Sequence, residues 1–353
     1  MLFIIGNGFD MSLGLDTSYD SFLQWYISCA VDDEPDSVKR LKSAIRTDLE
    51  KEIKSWANLE IKLGEYTDEY TAEEVDDFIL AYQDIKEKLN EYIKQQESLI
   101  LDDEVVLADA INDVKNFILT INNYFRPILN KQIVEITNIE KHITYDFINF
   151  NYTKTLELCL TSETGILRKR NIKNIVYNDN LGDIVYVHGE LDKSLLLGVD
   201  NESQIINNSF RSNTTIQRMM IKTQTNQEMS HGIPEEVVTL INKSNVICFY
   251  GVSIGDSDLS WWQRIGEWLK SSLSKRIIIF SYSDVYIPPI RQHQQLLAED
   301  KIREHFASQA GLTKGELEKL KNRIYICIFK EVIKNKLIYN INSHLIKIEE
   351  KEE

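Results

Sequence analysis

Several short stretches of this chain are apolar with almost no alternation: Leu2–Ile5, Ile143–Phe150, Ile184–Val187, Leu195–Val199, Val246–Tyr250, Arg276–Ser281 and Ile324–Phe329. A strand with one wet face alternates, whereas a strand covered on both faces does not. Helical patterns such as Leu259–Ser271 fall between the later runs. Together they call for an α/β fold, a Rossmann-like parallel sheet with helices as crossovers.

Residues 30–130 have a different texture, charged and helical. They open on the acidic stretch DDEPD around Pro35. Thr71 and Glu74 are spaced as a capping box. Behind them Val75, Phe78, Ile79, Tyr82, Ile85, Leu89, Tyr92 and Ile93 form a one-faced stripe of helical period. A second stripe runs Val106, Ala110, Val114, Phe117, Ile121, Tyr124, and Pro127 ends it. The stripes are packing surfaces without visible chemistry. The zone reads as an inserted helical module, with 1–29 and 131–345 forming the α/β domain and 346–353 an acidic tail.

In an open parallel sheet, ligands bind beyond the carboxyl ends of the strands. Leu2–Ile5 is followed by Gly6, Asn7, Gly8, Phe9 and Asp10. Two glycines at such a turn let backbone approach a phosphate, although the full G-x-G-x-x-G is absent; the alternative is a plain tight turn. Ile143–Phe150 runs into Asn151, whose amide can orient a ribose hydroxyl or a water, and Thr153 is placed to cap a helix. Ile184–Val187 leads to His188 and Gly189, and a histidine at a strand tip is placed as a general base. The other His-Gly, His231–Gly232, reads as a loop. Val246–Tyr250 leads to Gly251, Ser253, Gly255, Asp256 and Asp258. One of the two aspartates, or Ser257, caps the next helix, and the other carboxylate is free for a ribose hydroxyl. Trp261 and Trp262 are expected in the core. Residues 201–232 carry Arg211, Arg218 and Lys222 and read as an exposed loop and helix, with a lid over the ligand as the alternative.

Bulk properties narrow the function. Among 353 residues the formal charge is −15, which disfavours general nucleic-acid binding because that rests on Lys and Arg displacing counterions. The four cysteines, Cys29, Cys159, Cys248 and Cys327, form no C-x-x-C pair. They suggest free thiols in a reducing compartment, and no metal is expected. The start MLFIIGNGFD lacks a basic region and a long apolar run, and no window approaches a membrane span. A cytoplasmic protein is expected.

The opening IIGNGFDMSLGLDTSYDSF, with WANLE at Trp56–Glu60, FNYTKTLE, VHGE and GVSIGDSDLSWW, resembles the AbiH family of bacterial phage abortive-infection proteins. That family in turn resembles the sirtuin-like superfamily, whose Rossmann-like sheet surrounds NAD with a Gly-rich first loop, an Asn and a His before Gly. The resemblance implies catalytic roles for Asn151 and His188. It implies NAD contacts from Gly6, Asn7, Gly8, Asp10, Thr17, Tyr19, Gly189, Gly251, Ser253, Asp256 and Asp258. Asn149 and Thr153 depart from the pattern, which has Thr and Asp there. The absent zinc cysteines argue against a protein deacylase. The implied function is an antiphage effector that hydrolyses NAD, as a homo-oligomer answering a phage-derived trigger. A non-catalytic nucleotide sensor acting through a partner and a nucleic-acid-cleaving toxin are the alternatives.

Overall fold

The computed structural model describes residues 1–29, 33–50, 59–101, 104–119, 142–161, 164–172, 174–228, 232–283, 287–288 and 290–329. Trp56–Asn58 of the WANLE motif, Ile121, Tyr124, Pro127, His231 and the acidic tail lie outside these residues, as do the side chains of Val106 and Phe117.

The chain begins with β1 (Leu2–Ile5), α1 (Gly8–Ser12) and α2 (Tyr19–Ser28). Four further helices follow, α3 (Asp36–Glu50), α4 (Leu59–Tyr66), α5 (Val75–Leu101) and α6 (Glu104–Leu119). Next come β2 (Ile143–Asn149), α7 (Thr155–Leu160), β3 (Ile166–Ile172), β4 (Ile175–Tyr186), β5 (Gly189–Glu190) and β6 (Ser194–Leu195). Three short helices, α8 (Asn208–Arg211), α9 (Thr214–Met220) and α10 (Lys222–Glu228), precede α11 (Ile233–Lys243). The chain continues through β7 (Val246–Tyr250), α12 (Leu259–Lys270), β8 (Arg276–Tyr282), α13 (Gln292–Gln309), α14 (Lys314–Leu320) and β9 (Ile324–Phe329). Among the described residues no helix is long and apolar enough to cross a membrane.

The central sheet has the order β3-β4-β2-β1-β7-β8-β9. All its neighbours are parallel except the β3–β4 pair. Numbered in chain order, its parallel strands stand 3-2-1-4-5-6, the doubly wound arrangement with its reversal at β1. Strand residues alternate between the two faces. Phe3, Ile5, Phe147, Cys248 and Tyr250 pack on one side with residues of α6 and α7. Leu2, Ile4, Ile148, Ile247 and Phe249 pack on the other with α11, α12 and α13. This two-sided covering explains the unbroken apolar runs.

A third core joins α2, α3, α4 and α5 to residues 191–221 through Tyr26, Leu41, Leu63, Phe78, Tyr82, Leu197, Phe210 and Met220. Phe78, Tyr82, Ile85, Leu89, Tyr92 and Ile93 of the α5 stripe are all buried there. Leu195–Val199, expected as a sheet strand, is corrected by this packing. Only Ser194–Leu195 pairs, with Gly189–Glu190, and Val199 makes a single bridge to Ile221. The run is apolar because helices cover it. β3 escaped the sequence reading because Arg168, Lys169 and Arg170 interrupt its pattern; Arg168 and Arg170 both pair with the fully buried Asp179 of β4. The Thr71–Glu74 box is one-sided: Glu74 accepts from the Thr71 N–H, and α5 starts only at Val75.

Candidate functional site

A cavity of about 420 Å³ opens at the carboxyl ends of β1, β2, β4 and β7, where the strand order reverses. Gly6, Asn7, Gly8, Asp10, Thr17, Tyr19, Asn151, His188, Gly251, Ser253 and Asp258 all line it. Gly189 and Asp256 do not. Gly189 has φ +79°, and a Cβ there would fall 1.5 Å from the Ser194 carbonyl oxygen, so its glycine serves the β5–β6 turn. Asp256 instead accepts from the Gln309 amide of α13 at 3.0 Å.

The glycines of the first and fourth strand ends face each other. The Gly6 N–H donates to the Tyr250 carbonyl at 3.0 Å, and the Gly8 N–H to the Gly251 carbonyl at 2.9 Å. A Cβ on Gly8 would lie 2.7 Å from Gly251 Cα, and one on Gly251 would lie 2.4 Å from Phe9 N. The sequence suggested room for a phosphate. The room these residues clear is first of all for one another, as a seam between two loops. Asn7 is oriented by the Thr17 hydroxyl, which donates to its Oδ1.

Asp10 is 1% exposed. Its carboxylate accepts from Thr153 Oγ1 and from Thr155 Oγ1, each at 2.7 Å. Burial pushes Asp10 up to about 6, against the hydrogen bonds from Thr155 and Thr153. Thr153 therefore does not cap α7, as expected from the sequence. The capping position is Lys154, and the Glu97 carboxylate of α5 accepts its backbone N–H. Asn151 stands beside Asp10 and is 5% exposed. β2 ends at Asn149, whose Oδ1 accepts the Asn151 N–H at 3.1 Å. Among the described residues neither atom of the Asn151 side-chain amide completes a hydrogen bond, although the amide lies near enough to Asp10 to help hold its carboxylate. A buried amide without partners is costly to leave so, and a ligand in the cavity would satisfy it.

His188 is 6% exposed and sits in an ionic cluster. Its Nε2 lies 2.9 Å from Asp258 Oδ1 and 3.1 Å from Lys222 Nζ. Lys222 also donates to Glu60 Oε2 at 2.9 Å, to the Ser257 carbonyl at 3.1 Å and to Asp258 Oδ1 at 2.9 Å. Burial works to raise the Asp258 carboxyl, but Lys222 and His188 outweigh it and hold it well below the usual carboxylate range. Burial works to lower Lys222, and Asp258 and Glu60 outweigh that in turn, so it stays cationic. Phe150 and His188 meet in a T-shaped contact with ring centres 5.1 Å apart, and Phe150 stacks on Trp262 at 5.3 Å. Desolvation and Glu60 push the Tyr19 and Tyr152 hydroxyls far above their ordinary range.

The cluster corrects two expectations. Neither Asp256 nor Ser257 makes a side-chain cap, and Asp258, at the capping position of α12, spends its carboxylate on His188 and Lys222. Lys222 belongs to no exposed loop or helix; it is buried behind the cavity, while Arg211 donates to the Ile205 carbonyl at 2.9 Å. In the sequence Glu60 is marked only by its place in WANLE. No local signal ties it to residues 188, 222 and 258. Among the described residues, no group of three or more His, Cys, Asp or Glu side chains could hold a metal ion.

No curated protein matches the chain. The family model described as bacteriophage abortive infection AbiH matches residues 2–282, from β1 through β8. That span covers most of the 353 residues and every side chain of the cavity. This chain belongs to the AbiH family of bacteriophage abortive-infection proteins.

Proposed function

We propose that this chain is an abortive-infection effector that hydrolyses NAD at the nicotinamide N-glycosidic bond, on a sirtuin-like α/β domain. The observation that carries the reading is Asn151, buried at the strand ends with both amide atoms unsatisfied. Asn151 holds the nicotinamide ribose and a water on the face of C1′ opposite the ring. The C1′–N bond breaks, and its electron pair goes to the nicotinamide nitrogen. The water oxygen bonds to C1′ through an oxocarbenium-like transition state, and His188 takes the water proton. Nicotinamide, ADP-ribose and a proton result. Among the described residues Asp10, Asp20, Glu60 and Asp258 line the cavity and no Lys or Arg does, which suits the cationic nicotinamide ring. The phosphates would rest on backbone N–H groups, including those at the start of α12.

Chromatography of NAD incubated with the purified chain, with and without phage lysate, tests this. Free nicotinamide is expected, and Asn151→Ala should lower its production at least about 100-fold. Intact NAD under both conditions would overturn the reading.

A second reading has its own observation. His188 Nε2 is tied into the ionic cluster, and Asp10 is held by two threonines, a rigidity equally suited to a nucleotide sensor. Such a sensor gains stability from NAD without consuming it. At a hundredfold excess over Kd the gain is about 2.7 kcal/mol.

A further inference from the structure

The protons of Lys222 can be counted. An ammonium carries three. Oxygens of three groups surround it: the Glu60 carboxylate, with Oε1 at 2.8 and Oε2 at 2.9 Å, the Ser257 carbonyl at 3.1 Å and Asp258 Oδ1 at 2.9 Å. Two of these are carboxylates, which make the stronger charge-assisted bonds. No proton is then left over for His188 Nε2, although it lies 3.1 Å away. Nε2 also lies 2.9 Å from Asp258 Oδ1, which is held ionised and can only accept. Nε2 must therefore carry a proton of its own and donate it.

We infer that Lys222 is a positioning residue: by filling Glu60, Ser257 and Asp258 it fixes the His188 proton on Nε2 and leaves Nδ1 as the basic atom of the ring. Among the described residues Nδ1 has no hydrogen-bond partner. The charged groups at the ring are Lys222 and Asp258, with Glu60 behind Lys222; Phe150 and Tyr152 form its uncharged walls, with ring centres at 5.1 and 6.0 Å. Glu60 comes from α4, so the helical layer supplies the counter-charge for this lysine. The catalytic consequence rests on the proposed NAD hydrolysis; the proton location does not.

The test is nitrogen NMR of the imidazoles in the full chain labelled at histidine, with His188 assigned by its loss in His188→Gln. The parent is expected to hold its proton on Nε2 alone. Lys222→Met leaves two buried carboxylates unneutralised and invites misfolding, so Lys222→Met/Glu60→Gln is measured beside it. In the variants the proton should no longer be confined to Nε2. A parent protonated on Nδ1 overturns the inference. So does a double variant whose proton state equals the parent's, the result a purely structural lysine would give. If the proton states come out as stated while NAD stays intact throughout, the positioning stands and the NAD reading falls.

Discussion

Asp10 occupies a place where a carboxylate is hard to keep ionised. Its pKa rises from 3.8 to about 6 because burial strips its water. Between those values the folded chain holds a proton that the unfolded chain has released. Its contribution to stability is therefore full below about pH 4 and is lost as pH rises through about 6. The difference is at most about 3 kcal/mol. Asp10→Asn keeps the shape without the charge. Its stability relative to the parent should grow by up to that amount between pH 4 and pH 8, as read from urea midpoints. A gap that stays constant with pH would show that Asp10 titrates alike in both states. The three contacts among Asp10, Thr153 and Thr155, at 2.7, 2.7 and 2.6 Å, have only two hydroxyl protons to share when Asp10 is ionised. The protonated acid supplies the third, which agrees with the direction of the shift.

At the level of elements, the interlock of the β1–α1 and β7–α12 loops separates two kinds of glycine. Gly251→Ala adds a Cβ 2.4 Å from Phe9 N on a residue with φ +70°. Gly232 has φ +62° but nothing within 4 Å of its would-be Cβ. Backbone strain alone costs about 1–2 kcal/mol. Thermal unfolding should therefore show a small loss for Gly232→Ala and a loss of roughly 3 kcal/mol or more for Gly251→Ala. Equal losses would mean that the loops part easily. The elements differ likewise in how legible they were. The parallel strands announced themselves because covering on both faces leaves no polar positions. β3 did not, since its arginines answer a buried aspartate on the neighbouring strand. Leu195–Val199 misled because an apolar run covered by helices looks the same as one inside a sheet. Asn151 and His188 stood out because strand ends are short and local. Lys222 and Glu60 did not, because their meaning lies in contacts between distant segments.

The cavity is drawn from segments spread between β1 and α12: Asp10 from α1, Glu60 from α4, Asn151 after β2, His188 after β4 and Asp258 before α12. The match to the abortive-infection family spans the same stretch. A chain ending at residue 245 would lack β7, and with it the neighbour of β1 and the partner loop of the glycine seam. Such a chain should show no cooperative unfolding transition and no nicotinamide release. A truncated product that still unfolds cooperatively would mean that the first half folds by itself. The same dependence has a consequence during synthesis. The central strand of the sheet is made first, but it gains its second neighbour only when β7 emerges. Until residues 246–250 have been made, a nascent chain lacks β7 and the Gly251 loop that forms one wall of the cavity, so the site cannot close while only the earlier segments exist.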